Sequence, residues 1–144
     1  MQDRPTATEL LDVLGEFLAA DVQPNLTGPA QYRGRVASNL VAIVARELEL
    51  GPAMIRRERD LLIDLLDVGV DELQGEDPGV DVLELNRRLA ERLANPAAAD
   101  PVFVDQARSV LEAVARDKLT VARPGYDTYD SAGDIDPTGR GGAE

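Results

Sequence analysis

Apolar residues recur at steps of three and four through most of the chain, which is the period of amphipathic helices. Within residues 32–51 this pattern runs through Val36, Leu40, Ile43, Val44 and Leu48. These positions share one helix face, which we expect to lie against a core. The Gly51-Pro52 pair then predicts the end of one helix and the start of the next.

The same period, together with local stop and start signals, predicts five helices, at about 7–22, 30–50, 52–67, 80–94 and 101–121. Thr6 and Glu9 form a capping box before the first helix, Asn95-Pro96 ends the fourth, and Asp100 caps the fifth. The other inward positions are expected to be Leu10, Val13, Leu14, Phe17 and Leu18; Leu61, Leu62, Leu65 and Leu66; Val82, Leu85, Leu89 and Leu93; and Phe103, Ala107, Val110, Leu111 and Val114.

No segment has the alternating pattern of a strand. The sequence therefore predicts an all-α, single-domain bundle of about five helices over residues 1–130, with the second and fifth helices central. Residues 131–144 are rich in Gly and Asp and are expected to form a disordered, acidic C-terminal tail. Tyr126 and Tyr129 lie just before it, where they would either hold the tail on the bundle or contact a partner.

Composition excludes several classes of function. The chain has no Cys and no His, which excludes disulfides, zinc fingers, catalytic triads and Glu-x-x-His di-iron sites. The net charge is −12, divided as −2 over residues 1–60 and −10 over residues 61–144. An acidic surface repels phosphate backbones, so we expect no nucleic-acid partner.

The sequence also contains no signal for a membrane and none for a cofactor. No apolar run approaches the roughly 20 residues of a transmembrane helix, and the first residues lack a signal-peptide pattern. We therefore expect a cytoplasmic protein. Phosphate-binding glycine loops are absent, and the acids of residues 68–79 lack calcium-loop spacing. We expect no metal, no cofactor and no enzymatic activity of its own.

A polar stripe on the second predicted helix is the least ordinary feature of the pattern. Arg35, Asn39 and Arg46 share a face, with Ala42 between them. Arginine and asparagine can together hold a carboxylate or a phosphate through several donors. The alternative is structural, with Arg46 paired to an acid of its own bundle and Asn39 capping a loop.

Three segments resemble a known family. They are MQDRPT with the following ELL at residues 9–11, RVASN at 35–39 running into AIVAREL and LGP up to Pro52, and KLTVARPGYDTY at 118–129. Together they resemble a family of small bacterial helical proteins of unassigned function. Its members are typically encoded beside an aminoglycoside-phosphotransferase-like kinase and an acyl-CoA dehydrogenase. One member resembles the accessory subunit of the kinase that phosphorylates 4-hydroxyacyl-CoA in levulinate breakdown.

The resemblance implies a non-catalytic accessory subunit of such a kinase, acting in short-chain hydroxyacyl-CoA catabolism. The alternative is a self-contained helical homodimer that binds a small anionic or acyl ligand between its helices. The candidate partner- or anion-binding residues are Arg35, Asn39, Arg46, Asp3, Arg4, Tyr126 and Tyr129.

Overall fold

A computed structural model describes residues 4–73, 77–95 and 100–125, and within these ranges the chain is helical with no β-strand. The α-helices are α1 (Ala7–Phe17), α2 (Gly28–Leu66), α3 (Pro78–Ala94) and α4 (Pro101–Ala122). A π-helical turn (Leu18–Val22) and short 3-10 turns (Gln23–Asn25 and Val70–Glu72) connect them. The all-α prediction is confirmed. The expected tail and both of its tyrosines lie outside the described residues.

The described ranges contain four α-helices, so the prediction of about five was wrong. The error lies at Gly51-Pro52, where the second and third predicted helices are one continuous α2 of 39 residues. Proline removes one backbone hydrogen bond, but its fixed φ is compatible with a helix. Because α4 packs along α2 on both sides of Pro52, the two halves stay in line. Arg46 bonds to Val121 before the proline, and Leu62 packs with Ala107 after it.

The caps behave as the sequence predicts. The Thr6 hydroxyl accepts from the Glu9 amide at 3.2 Å, and the Glu9 carboxylate accepts from the Thr6 amide at 2.7 Å. Asp100 accepts from the Phe103 amide at 3.0 Å at the start of α4. At the end of α2, Asp67 adopts a left-handed conformation with φ of 53°. These bonds satisfy backbone groups that a helix end leaves free.

The hydrophobic core lies at the C-terminal half of α2, not at its centre. Leu62 of α2 packs there with two side chains of α3 and two of α4, and these are Leu85, Leu89, Phe103 and Ala107. Arg92 lies over the Phe103 ring, 3.6 Å from the ring centroid to the guanidinium carbon. Ile63 also packs against this core. The core is therefore made by α2, α3 and α4.

The N-terminal half of α2 pairs with α1 in an antiparallel hairpin. Gly15 lies against Val41, Gln23 Nε2 donates to Ser38 Oγ at 2.6 Å, and Leu26 lies against Gly34. A Cβ at Gly34 would lie 2.7 Å from Leu26 Cδ1, which explains the glycine inside this helix. No residue of α1 is buried. The hairpin therefore extends from the core instead of forming part of it.

Candidate functional site

Besides Tyr32 and Val36, seven large hydrophobic side chains of the hairpin are exposed to solvent. On α1 and α2 these residues, together called the apolar face, are Leu10, Val13, Leu14, Phe17, Leu40, Val44 and Leu48. Their exposed fractions run from 43 % to 67 %. We expected all of them to point into a core, and that prediction was wrong. In the described chain, α1 and the N-terminal half of α2 pack on each other, and no further helix packs over the apolar face.

Small residues on α2 explain why the apolar face stays uncovered. The side of α2 that meets α1 and the connecting turns carries Gly34, Ser38 and Val41. Val41 lies against Gly15 of α1, and the other two contact the turn at residues 23–26. The larger residues Leu40 and Val44 therefore turn away from that contact. Amphipathic periodicity correctly identified an apolar row on each helix, but it contained no information on what would cover it.

The polar stripe of α2 divides into two parts. Arg35 and Asn39 are exposed, and neither forms a hydrogen bond or ion pair with another described residue. Arg46 instead donates from Nε to the Val121 carbonyl at 2.7 Å, across 75 positions of sequence. Its Nη2 atom is buried and has no hydrogen-bond partner within the described part of the chain. The three residues share a helix face, but only Arg35 and Asn39 are free to meet a partner.

Arg46 acts as a cap for the C-terminus of α4. The last carbonyls of a helix lack intrahelical donors and carry partial negative charge, so a guanidinium there satisfies both. The sequence suggested an acid as the structural partner of Arg46, whereas the partner is a backbone carbonyl. No local pattern could have indicated this, because Val121 is distant in sequence.

Replacing Arg46 with methionine is expected to lower the free energy of unfolding by about 2 kcal/mol, because a charge-assisted hydrogen bond at α4 is lost. Chemical denaturation measures this. Arg35→Met is the matched control on the same helix face, and we expect it to change stability by less than about 0.5 kcal/mol. Equal effects in the two variants would show that Arg46 does not stabilise α4.

The remaining predicted site residues are Arg4, Asp3, Tyr126 and Tyr129, and the structure shows contacts for Arg4 only. Arg4 is 85 % exposed and forms an ion pair with Glu9 at 3.4 Å. Asp3, Tyr126 and Tyr129 lie outside the described residues, so their roles stay predictions. The described chain contains no group of three or more His, Cys, Asp or Glu residues placed to hold a metal ion. None of its helices has the length and apolar character needed to cross a membrane.

A cleft of about 210 Å³ lies between α2 and α4. Its walls are largely apolar, with Ile43, Met54 and Val114 among them. The buried carboxylate of Glu58 borders it and accepts from Asn86 Nδ2 at 3.1 Å and from Lys118 Nζ at 3.3 Å. The charged residues that line the cleft are Glu47, Glu58, Asp117 and Lys118. Three acids against one base disfavour an anionic ligand between these helices.

Exposed ion pairs cluster on α3. Hydrogen bonds from Arg87 and then Arg88 lower the pKa of Glu84 from its ordinary 4.5 to about 2. Hydrogen bonds from Glu84 and Glu91 raise the pKa of Arg87. These side chains lie together on one solvated face of the helix. The cluster is therefore a surface network, not a catalytic carboxylate.

The lowered pKa of Glu84 predicts a loss of stability in acid. The ionised carboxylate is favoured in the fold, so its contribution is complete above about pH 4.5 and is lost as the pH falls toward 2. We expect Glu84→Gln to weaken the pH dependence of unfolding in that window. Carbon-detected NMR titration of the Glu84 carboxyl provides a direct measurement, and a midpoint near 4.5 would contradict the hydrogen-bonded geometry.

Comparison with known proteins identifies a family but no characterised relative. Residues 24–126 match the family described as Domain of unknown function (DUF6285). No curated protein and no solved structure matches the chain significantly. The matched segment begins after α1 and covers α2, α3 and α4. Since it spans more than half of the sequence, the chain belongs to the DUF6285 family.

Proposed function

We propose that this chain is a non-catalytic accessory subunit that acts by binding another protein. The proposed partner is an aminoglycoside-phosphotransferase-like kinase of short-chain hydroxyacyl-CoA catabolism, as the resemblance over most of residues 1–130 implies. The chain itself supports the binding role, and the resemblance alone supports the identity of the kinase.

The observation that carries the proposal is the surplus of uncovered apolar surface. In the described chain, eight hydrophobic residues are buried and sixteen large ones are exposed. Scattered exposed hydrophobics are normal, but a contiguous apolar surface on a small domain usually marks an interaction site. Besides the apolar face, a groove of α3 and α4 exposes Leu93 and Leu111. The protein therefore has surfaces suited to binding proteins.

Arg35 and Asn39 are the polar groups best placed to contribute specificity toward the kinase. Both are exposed and unpaired among the described residues, so binding would not require breaking an existing ion pair. By contrast, Arg57, Arg59 and Arg87 are already held by acids of their own chain. An arginine that enters an interface unpaired can form a bidentate contact with a partner carboxylate.

The proposal predicts a stable complex with an aminoglycoside-phosphotransferase-like kinase. We expect the two proteins, co-expressed, to elute together in size-exclusion chromatography at micromolar concentration. Arg35→Ala and Asn39→Ala, made singly, are each expected to weaken binding about tenfold, which corresponds to about 1.4 kcal/mol.

Arg116→Ala is the matched control, because Arg116 is exposed on α4 and its side chain has no partner in the described chain. Its effect on kinase binding is expected to be small, and all three variants should keep the wild-type melting temperature. Separate elution of the two wild-type proteins would overturn the kinase proposal. If both Arg35→Ala and Asn39→Ala bind the kinase as tightly as the wild type, the kinase contacts other surfaces of the chain.

A further inference from the structure

The N-terminal helix α1 is attached to the rest of the protein by few interactions. Neither α1 nor the turns that follow it, up to Asn25, contain a buried residue. In the described chain no hydrogen bond or ion pair joins a residue of α1 to α2. The nearest polar link is the hydrogen bond from Gln23 to Ser38, which starts in the connecting turn. The core, by contrast, is formed by α2, α3 and α4 without any contribution from α1.

The contact of α1 with α2 depends on one partly covered row. Leu11, Gly15, Leu18 and Val22 recur at steps of three and four, and each is half-buried. One member of this row is a glycine, and it lies against Val41. The five core residues are each 3 % exposed or less. Because stabilisation follows the apolar area removed from water, α1 is held less strongly than the other three helices hold each other.

Without its contact to α2, α1 would not remain a helix. It has 11 residues, and isolated helices shorter than about 12–15 residues are marginal in water. The reverse dependence is absent, since α2 is held by the core and by the bond from Arg46 to Val121. Proteins open in cooperative units whose free energy of opening follows local packing. We infer that α1 is such a unit, which leaves α2 and unfolds while α2, α3 and α4 stay packed.

This local opening controls the apolar face. Four of its seven residues belong to α1 and three to α2, so the face is complete only while α1 is docked. Opening separates the two rows and uncovers the side of α2 that carries Val41. The state of α1 therefore determines which apolar surface the protein presents. The inference concerns the chain alone and does not depend on the proposed kinase.

Native-state hydrogen exchange of the full chain, measured by mass spectrometry, tests the inference. After correction for intrinsic rates, we expect the hydrogen-bonded amides of α1 to exchange at least about 100-fold faster than those of α3 around Leu85 and Leu89. Equal protection of the two helices would overturn the inference, because it would show that α1 is released only when the whole domain unfolds.

A core variant separates local opening from global unfolding. Leu85→Ala favours global unfolding, so exchange in α3 is expected to become at least about 30-fold faster. Exchange in α1 should change less than about twofold, because its opening leaves the surroundings of Leu85 intact. An equal acceleration of both helices would contradict a separate opening of α1.

Variants within α1 test whether the partly covered row holds it. Leu11→Ala removes one of the contacts to α2 and is expected to make exchange in α1 about tenfold faster. Leu10→Ala is the matched control, since Leu10 is 56 % exposed in the same helix and the substitution is the same. Its effect should be less than about twofold. Equal effects of the two variants would show that α1 is not held through this row.

A disulfide shows whether the fast exchange requires α1 to leave α2. A Cβ at Gly15 would lie 3.6 Å from Val41 Cγ1, so the two Cβ atoms are at most about 5 Å apart, close to the roughly 3.5–4.5 Å of a disulfide. The chain has no native cysteine, so Gly15→Cys and Val41→Cys can form only this intramolecular bond. With the bond closed, exchange in α1 is expected to slow toward that of α3. The reduced form of the same variant is the control and should keep fast exchange. Amides of α1 that stay fast with the bond closed would overturn the inference, since the helix would then fray in place.

Discussion

Replacing Arg59 with methionine is expected to lower the free energy of unfolding by about 3–5 kcal/mol. Arg59 Nε donates to Asp81 Oδ2 at 2.7 Å, and the Asp81 side chain is only 4 % exposed. Asp81 lies in the first turn of α3 and faces α2. Without the guanidinium its carboxylate would remain in the interior with its main compensating charge removed. The expected effect is therefore a large fraction of the total stability of a small domain.

Two further variants make this prediction specific. Arg57 bonds to Asp117 at the same 2.7 Å, but its side chain is 58 % exposed, so Arg57→Met should cost less than about 1 kcal/mol. Combining Arg59→Met with Asp81→Leu removes both charges and should recover most of the loss. Urea denaturation measures all three. A cost for Arg59→Met no larger than that for Arg57→Met would show that the buried carboxylate does not depend on Arg59.

Leu85→Ala is expected to lower the free energy of unfolding by about 2–5 kcal/mol. Leu85 has no exposed surface and lies at the centre of the core among Leu62, Leu89 and Phe103. Truncation removes buried apolar surface and leaves a cavity that three helices cannot close without shifting. Urea denaturation of this variant therefore tests whether the core lies at Leu85.

Leu83 provides the control in the same helix, two residues earlier. It is 74 % exposed, so Leu83→Ala should change stability by less than about 0.5 kcal/mol. Both substitutions exchange the same side chain for alanine and alter helix propensity equally. Similar losses at the two positions would mean that Leu85 is not part of a core made by α2, α3 and α4.

The helix ends could be predicted because they depend on neighbouring residues. A threonine hydroxyl, an aspartate carboxylate or an X-Pro pair acts within four residues, so the roles of Thr6, Asp100 and Asn95 were predicted correctly. In α3, the spacing of Leu85 and Leu89 also identified core residues. These features need no knowledge of the rest of the chain.

The break expected at Pro52 shows where local signals fail. Gly-Pro is a common helix boundary, and by itself it would be one here. The structure keeps α2 continuous because α4 packs on both sides of that point, through Val121 near Arg46 and through Ala107 near Leu62. Packing across distant segments outweighs the cost of a proline inside a helix, about 3 kcal/mol for the lost hydrogen bond and the clash of its ring with the preceding turn.

The sequence by itself determined the all-α class, the caps and the amphipathic rows, since each follows from short-range periodicity and backbone hydrogen bonding. Only the tertiary structure decided which rows are covered. Leu62 and Leu40 lie on rows of the same kind on one helix, yet the first is 1 % exposed and the second 56 %. The physical reason is that burial depends on which helices pack alongside, and α3 and the start of α4 reach Leu62 but not Leu40.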